Sequence, residues 1–203
     1  MACPSPRFSA KMGRTMRAVR VAAGVAVVLA MVAGCSAPKR KPGPAPLIAD
    51  DDRLEWASQE PAFVVVRKTC RTLDVYRYGQ RIRSYAAVFG DGGTRERKMY
   101  AGDHRTPTGL YMIIGARPHE RWGYFFLLDY PNAHDASVYQ EALAEGTIPA
   151  AGLGSAVGIH GTDKPWLNRD NIDWTWGCIS LDNDAIDEFA RFVWVGTPVL
   201  IED

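Results

Sequence analysis

Residues 158–183, GIHGTDKPWLNRDNIDWTWGCISLDN, contain one of the chain's four histidines and one of its four cysteines in a glycine-punctuated stretch. His160 and Cys178 lie 18 residues apart. If a strand ends at His160 and the chain loops out before it returns, the two side chains face each other across a small cleft. A thiol with a pKa of about 8.5 is mostly protonated at neutral pH, and an imidazole that takes its proton creates an ion pair and a strong nucleophile. The pattern predicts Cys178 as a nucleophile and His160 as its general base.

Gly177, directly before the cysteine, fits the same chemistry. Because glycine has no side chain, it leaves the approach to Cys178 open and tolerates backbone conformations that other residues avoid. The backbone N–H groups of Gly177 and Cys178 can then point at one spot, which is the requirement for an oxyanion hole. We therefore expect these two groups to hold a developing negative charge.

Other roles for these residues remain open from the pattern alone. A cysteine is often a small buried apolar residue, and a histidine is often a hydrogen-bonded core or surface residue. A disulfide between Cys70 and Cys178 would abolish the nucleophile in an exported protein. A zinc site needs further ligands at suitable spacing, and the remaining histidines show neither CxxC nor HxxxH spacing: His104, His119 and His134. We expect neither a metal nor an organic cofactor.

Residues 62–203 have the composition of strands and turns. A hairpin turn is expected at Gly79 and a loop at GDGG, residues 90–93. Runs rich in β-branched and aromatic residues predict strands at 63–66, 72–78, 81–90, 109–114, 123–130 and 197–201, and a further strand leads up to His160.

Two stretches have helical patterns, residues 135–145 and residues 184–193. The second has an N-cap candidate at Asn183 and acidic residues in its first turn, and its apolar face is formed by Ile186, Phe189, Ala190 and Val193. Strands and helices do not alternate regularly enough for a doubly wound α/β fold. The sequence predicts a mainly β domain with short helices on its outside, an α+β fold.

The N-terminal residues 1–35 have the features of an export signal. Basic residues precede the uncharged run VAAGVAVVLAMVAGC. Its first 13 residues, 21–33, are too few to span a bilayer. They suit the apolar region of a signal peptide better than a buried core helix. The ending Val-Ala-Gly-Cys resembles a bacterial lipobox, which makes Cys35 a candidate lipid anchor. Ordinary signal-peptidase cleavage nearby is the alternative. We expect an exported protein of the periplasm or cell envelope, held at a membrane by its lipid.

Residues 36–61 are rich in proline and carry a basic patch followed by an acidic one. Such a segment cannot bury enough apolar surface to order itself, so it is expected to be a linker between the anchor and the domain at 62–203. The net charge of the chain is +1, with 24 Lys+Arg against 23 Asp+Glu. This balance does not favour nucleic acid as a partner.

Several separated stretches, in order, resemble the L,D-transpeptidase catalytic domain family (YkuD type). The stretches IHGT and TWGCISL resemble its signature, in which a histidine begins the motif and Ser/Thr-x-Gly-Cys ends it. VVVRKTCRTLDVYRYGQRIRSYAAVFG resembles the family's opening hairpin, and AGDHRTPTGLYMI resembles its Gly-Asp-x-Arg-Thr-Pro-x-Gly-x-Tyr stretch. LDYPNAHD and DWTWGCISLDN resemble a branch that includes wall cross-linking enzymes and enzymes that remove anchored proteins from the wall. The resemblance covers most of residues 62–201 and implies a β-sandwich domain.

The resemblance also implies residue roles and a substrate. Cys178 matches the acyl-forming nucleophile, His160 its base, Gly161 the residue whose carbonyl orients that base, and Thr175 the start of the cysteine segment. The implied reaction is attack on the peptide bond before the terminal D-Ala of a peptidoglycan stem peptide. An amine acceptor then gives transpeptidation, and water gives hydrolysis of wall cross-links or of wall-attached protein.

The chain departs from the family pattern at two positions near the cysteine. Trp176 stands where many members have His or Arg, and it either walls the cleft or packs against a strand. Ser180 stands where many have Arg or Asn, and Thr175, Trp176 and Ser180 are candidate substrate-binding residues. The clamp for the acidic stem peptide then has to be another cation, preferably Arg105, with Lys164 and Arg169 as alternatives. The aromatic residues that could floor a groove are Trp122, Tyr124 and Trp166, and a wall-binding module without catalysis is the rival to an enzyme.

Overall fold

The computed structural model describes residues 59–203. The expected signal peptide, the Cys35 anchor and nearly all of the linker lie outside these residues. The strands of the described part are β1 (Phe63–Arg67), β2 (Thr72–Arg77), β3 (Gln80–Ala86), β4 (Gly109–His119), β5 (Gly123–Leu128), β6 (Gly158–His160), β7 (Ile179–Ser180) and β8 (Pro198–Glu202). The helices are α1 (Ala133–Ala144), α2 (Pro165–Arg169) and α3 (Asn183–Phe189). The prediction of a mainly β domain with short helices is confirmed.

All eight strands belong to one sheet, in the order β3-β2-β1-β8-β4-β5-β6-β7. The long strand β4 joins its two halves, because residues 109–112 pair with β8 and residues 113–119 pair with β5. A register shift between Ile113 and Gly115 marks the change of partner. Such bulges bend a strand, which accounts for a curled rather than a flat sheet.

The turn expected at Gly79 joins β2 to β3 as a two-residue hairpin loop. Tyr78 and Gly79 have φ angles of 47° and 76°, the left-handed conformation that a tight turn between twisted strands requires. No atom lies within 4 Å of a Cβ built on Gly79, so the backbone angle is the reason for glycine there.

The main core lies on one face of the sheet, and α3 covers part of it. Phe189 of α3 packs edge-on against Phe126 of β5, with ring centroids 5.2 Å apart, and Ile186 is fully buried beside it. The strands contribute β-branched and aromatic residues, including Val64, Val75, Tyr111, Ile159 and Ile179. Burial of this apolar surface is the main term that stabilises the sheet.

The helix boundaries differ from the sequence predictions in several places. α1 begins two residues early, because the side chain of Asn132 accepts hydrogen bonds from the N–H groups of the first turn in a capping box. α3 ends at Phe189 instead of residue 193. Its N-cap is Asp182, so the prediction of Asn183 as the cap is wrong. The side chain of Asn183 instead accepts a hydrogen bond from Thr162 N–H at 2.8 Å and holds the loop after β6.

The parallel pairing of β6 with β7 brings the motif residues together. Ile159 lies opposite Ile179 and His160 lies opposite Ser180, so Cys178 comes directly before β7 at the level of Gly158. The 161–178 connection has to travel back along β6 to reach this point, and it contains the short helix α2, which the sequence did not reveal. No helix within residues 59–203 is long and apolar enough to cross a membrane.

Candidate active site

His160 is buried at the end of β6, and its ring is held by the next residue. Its Nδ1 lies 2.6 Å from the carbonyl oxygen of Gly161. A carbonyl oxygen only accepts hydrogen bonds, so Nδ1 carries the proton and Nε2 is left with a free lone pair. Burial lowers the pKa of His160 to about 4 and outweighs the opposing effect of this hydrogen bond. At neutral pH the imidazole is therefore neutral, as a general base must be.

A chain of buried hydrogen bonds supports the carbonyl that orients His160. Ser180 Oγ donates to Gly161 O at 3.1 Å, and Asn168 Nδ2 donates to Ser180 Oγ at 3.1 Å. The indole N–H of Trp174 donates to Asn168 Oδ1 at 2.8 Å. The prediction of Ser180 as a substrate-binding residue is wrong, because its side chain is fully buried and fully used in this network. Asn168 lies on α2 and had no signal in the sequence.

Aromatic rings enclose the imidazole on several sides. Trp122 stacks on His160 with ring centroids 4.3 Å apart, and His119 stacks on the far face of Trp122 at the same distance. Phe125 lies nearly parallel to the imidazole at 5.9 Å, and Trp174 meets it edge-on at 5.9 Å. These contacts exclude water and fix the plane of the ring, which also explains the lowered pKa of His160.

Cys178 is a free, half-buried cysteine, which excludes the Cys70–Cys178 disulfide. Its thiol donates to the carbonyl oxygen of Ala156, with sulfur and oxygen 3.7 Å apart. Burial raises the pKa of Cys178, and this effect is opposed by a hydrogen bond from the backbone of Gly158 and by the charge of Lys98. Both pKa shifts favour the uncharged imidazole and the uncharged thiol over the resting ion pair that the sequence predicts.

The turn before Cys178 depends on glycine and on Thr175. Gly177 has a φ of +122°, and a Cβ built there would lie 2.7 Å from the backbone oxygen of Arg105. The hydroxyl of Thr175 donates to Cys178 O at 2.7 Å and accepts from Gly177 N–H at 3.2 Å. Thr175 thus closes the turn, and its hydroxyl is already used by the backbone rather than left for substrate.

This turn also changes the expected oxyanion hole. The N–H of Gly177 is already bonded to Thr175, whereas the N–H of Cys178 donates to no residue within 59–203. The prediction that both groups are free is wrong for Gly177, because the hydroxyl that closes the turn occupies it. The Cys178 N–H is the available donor.

Two cavities meet at Cys178. The first, which we call the tryptophan cavity, has a volume of about 430 Å³ and is lined by Trp122, His160, Lys164, Trp174, Trp176 and Cys178. The second, which we call the glycine cavity, has a volume of about 520 Å³ and is lined by Gly115, Arg117, Trp122, Phe125, Leu127 and Cys178. His160 and Cys178 both line the tryptophan cavity.

Lys164 supplies an unpaired cation to the tryptophan cavity, and Arg105 does not. Lys164 Nζ lies 4.8 Å from the centre of the Trp174 ring and forms no ion pair within residues 59–203. The side chain of Arg105 is paired with Glu96 and lines neither cavity, so the prediction of Arg105 as the clamp is wrong. Its backbone carbonyl approaches Gly177, which explains why this segment matches the motif. Arg169, the other alternative to Arg105, also lines neither cavity.

Trp176 stands at the wall of the tryptophan cavity and is 77% exposed. Its ring stacks on His104 with centroids 5.3 Å apart. Of the two predicted roles for Trp176, the structure agrees with the cleft wall and not with packing against a strand. Of the other predicted groove residues, Trp122 lines both cavities, whereas Tyr124 and Trp166 line neither.

A buried ion pair lies close to the cysteine turn. Lys98 Nζ is 2.7 Å from Asp103 Oδ1, and both side chains are almost inaccessible to solvent. The carboxylate of Asp103 also accepts hydrogen bonds from the backbone of Met99, Tyr100 and Arg105. The stem of Lys98 passes close to Gly177, and its charge favours a thiolate at Cys178. Among residues 59–203, no group of three or more His, Cys, Asp or Glu side chains is placed to hold a metal ion.

Comparison with solved structures gives matches to proteins of the same fold. Bd1075 from Bdellovibrio bacteriovorus is 26% identical, with a TM-score of 0.52 over 71% of this chain and 48% of that chain. The helical cell shape determining protein Pgp2 from Campylobacter jejuni is 22% identical, with a TM-score of 0.52 over 75% and 55%. An L,D-transpeptidase from Xylanimonas cellulosilytica is 18% identical, with a TM-score of 0.46 over 70% and 60%.

The chain thus spans between 48% and 60% of the length of these three structures. No curated protein matches it. The family model described as the L,D-transpeptidase catalytic domain, YkuD, matches residues 60–201, which is most of the chain. The chain therefore belongs to the YkuD family of L,D-transpeptidase catalytic domains.

Proposed function

We propose that the chain is a cysteine L,D-transpeptidase that acts on peptidoglycan stem peptides through an acyl-enzyme on Cys178. One observation carries the proposal. The Nδ1–H of His160 is bound to Gly161 O, so its free Nε2 is the basic atom in the cavity that also holds the Cys178 thiol. A nucleophile and its general base have to share one cavity in this way.

The first half of the reaction forms the acyl-enzyme. The sulfur of Cys178 attacks the carbonyl before the terminal D-Ala, and His160 Nε2 takes the thiol proton. The Cys178 N–H stabilises the oxyanion. The C–N bond then breaks, His160 passes the proton to the leaving amine, and a thioester remains on sulfur.

Lys164 is the residue that we assign to the carboxylate of the donor stem. Its ammonium lines the same cavity as the proposed reacting pair, lies over the ring of Trp174 and forms no ion pair with any residue of the described part, 59–203. The other cation of this cavity, Arg121, is already paired with Asp163. Replacement by Lys164→Gln should raise KM for a stem tetrapeptide more than it lowers kcat.

A single experiment tests the reaction and separates it from its rivals. Purified protein is incubated with stem tetrapeptide, and the products and the intact protein are measured by mass spectrometry. Dimers and a mass adduct on Cys178 support transpeptidation, whereas trimmed monomers alone support the hydrolase. Loss of turnover in both Cys178→Ala and His160→Ala, with both variants still folded under the assay conditions, supports their roles. No adduct, together with retained binding to purified wall, would support the binding module instead.

The proposed location follows from residues outside the described part. A signal peptide ending at Cys35 and a linker over residues 36–61 would hold the catalytic domain at a membrane of the cell envelope, within reach of the wall. Metabolic labelling with a palmitate analogue tests this. Label should appear in the wild-type protein and disappear in Cys35→Ser, and label-free wild-type protein would contradict the lipid anchor.

A further inference from the structure

The β4–β5 hairpin turns at residues 119–123, and this turn, which we call the hairpin tip, lies against the loop that follows His160. The pairing of β4 with β5 ends at this turn. The N–H of Gly161 donates to the carbonyl oxygen of Trp122 at 3.0 Å. A Cβ built on Gly161 would collide with that oxygen, so the close approach of the two backbones requires glycine. The hairpin tip is therefore in direct contact with the residue whose carbonyl orients His160.

A single carboxylate on this loop binds two neighbouring side chains of the hairpin tip. Arg121 Nε donates to Asp163 Oδ2 at 3.1 Å, and its Nη2 donates to the same oxygen. The indole N–H of Trp122 donates to Asp163 Oδ1 at 3.3 Å. These partners lie 41 and 42 residues apart in the chain. We call the three residues the Asp163 clasp, because the carboxylate fastens the hairpin tip to the loop after β6.

The Asp163 clasp acts on the ring that covers the imidazole of His160. Trp122 stacks on His160 with ring centroids 4.3 Å apart. The hydrogen bond to Gly161 O fixes one edge of the imidazole, but a single hydrogen bond tolerates a range of ring tilts. A ring stacked on its face restricts that tilt and excludes water. Asp163 lines neither cavity, so its route to His160 passes through Trp122.

We propose that Asp163 is a positioning residue for the general base: its carboxylate clasps the hairpin tip so that Trp122 holds the imidazole of His160 in one plane and dry. Hydrogen bonds to an ionised carboxylate are stronger than those between neutral groups, which suits a clasp at the edge of a cavity. The effect on catalysis rests on the proposed acyl-enzyme reaction. The effect on the imidazole itself rests on the geometry alone.

The charges near His160 make the sign of one measurement decisive. Burial lowers the pKa of His160 to about 4, the charge of His119 lowers it as well, and the charge of Asp163 raises it. If Asp163 acted by its charge alone, its removal would lower the pKa of His160 further. If the clasp holds Trp122 in place, its removal admits water to the imidazole and the pKa rises towards its ordinary value of 6.5.

The cations around the imidazole do not obscure this sign. Arg121 would lose its partner in a variant without Asp163, and Lys164 lines the same cavity as His160. Both positive charges favour the neutral imidazole and so lower its pKa. Charge effects therefore act in the direction opposite to hydration, and a rise reports the displacement of Trp122.

The test is an NMR titration of the histidine ring signals in the whole protein, with His160 assigned from His160→Gln. Asp163→Ala should raise the pKa of His160 from about 4 towards 6.5. Asp163→Asn keeps an oxygen for the indole N–H of Trp122 and should raise it less. At pH 8, where the imidazole is neutral in every variant, Asp163→Ala should lower kcat for a stem tetrapeptide about tenfold or more and change KM less.

Glu188 offers a matched control. Its carboxylate also binds an arginine and an aromatic side chain, Arg83 at 2.7 Å and the hydroxyl of Tyr85 at 3.1 Å, and it lines neither cavity. Glu188→Ala should leave both the pKa of His160 and kcat unchanged.

A second variant asks whether Asp163 acts through Trp122. Trp122→Ala removes the stacked ring and should give the largest rise in the pKa of His160. Adding Asp163→Ala to it should raise the pKa no further, because the ring that the clasp holds is already gone.

Each result decides a different point. A pKa of His160 that falls or stays unchanged in Asp163→Ala would overturn the clasp, and so would a rise that persists in full on the Trp122→Ala background. A raised pKa with an unchanged kcat would overturn the role of Asp163 in catalysis. Absence of turnover and of any Cys178 adduct in the wild-type protein would overturn the proposed function, while the titration still decides whether Asp163 positions the imidazole.

Discussion

Replacing Ser180 by alanine tests whether the buried hydrogen-bond chain orients His160, the proposed general base. Ser180→Ala removes the hydroxyl that donates to Gly161 O at 3.1 Å and leaves the amide of Asn168 without its acceptor. A buried donor left unpaired costs about 1–3 kcal/mol in the free energy of unfolding. The hydrogen bond from His160 to Gly161 remains, but the carbonyl is held by one donor instead of two.

The fall in kcat of Ser180→Ala should exceed what the lower stability of this variant explains. If the looser carbonyl costs about 1.4 kcal/mol in the transition state, kcat falls about tenfold. KM should not change, because Ser180 and Asn168 are buried and line neither cavity. The assay is turnover of stem tetrapeptide at several concentrations, with urea unfolding of the same preparations to separate the two effects.

A double-mutant cycle with Asn168→Ala decides whether the two residues act through one network. Because Asn168 contacts Ser180, which in turn contacts Gly161, the double variant should lose little more activity than Ser180→Ala alone. The proposed network would be refuted by an unchanged kcat in Ser180→Ala, or by additive losses in the double variant.

Three further predictions concern pH, backbone strain and charge. Burial lowers the pKa of His160 to about 4, whereas the same imidazole in the unfolded chain takes up its proton near pH 6.5. The contribution of neutral His160 to the free energy of unfolding is therefore fully present above pH 6.5 and is lost as the pH falls towards 4. Urea unfolding should show a loss of up to about 1.4 kcal/mol per pH unit there, and a slope unchanged in His160→Gln would contradict this. Gly177→Ala brings a Cβ to 2.7 Å from a backbone oxygen. Gly93→Ala is the control, because its Cβ has open space and only backbone strain, roughly 1–3 kcal/mol, is expected there. Gly177→Ala should lose more unfolding free energy than this control, and equal losses would refute the close contact. Lys98→Met should cost about 3–5 kcal/mol by leaving Asp103 buried and unpaired. The same variant should slow alkylation of the Cys178 thiol, because the charge of Lys98 favours the thiolate. Adding Asp103→Asn should restore much of the stability but not the alkylation rate, and a restored rate would argue against an electrostatic role for Lys98.

Much of this protein follows from local sequence signals. The turn at Gly79, the β-branched and aromatic strand segments and the class of the fold depend on backbone propensities that act within a few residues. That His160 and Cys178 line one cavity was predictable for a related reason, because a strand end and a glycine turn leave the connecting loop free to bring the two segments together. The motif also marked Gly161 correctly as the partner of the His160 ring.

Tertiary contacts decided which residues surround His160 and Cys178. Arg105, in a motif segment, turns its side chain towards Glu96, whereas Lys164 lies over the Trp174 ring and has no ion-pair partner within residues 59–203. Ser180 is buried by the parallel register with His160, which no local pattern reveals. Which side chains of neighbouring strands share a face depends on register, and register is set by pairing between distant segments. The sequence alone thus determined which two side chains we propose to react, and only the folded sheet decided what surrounds them.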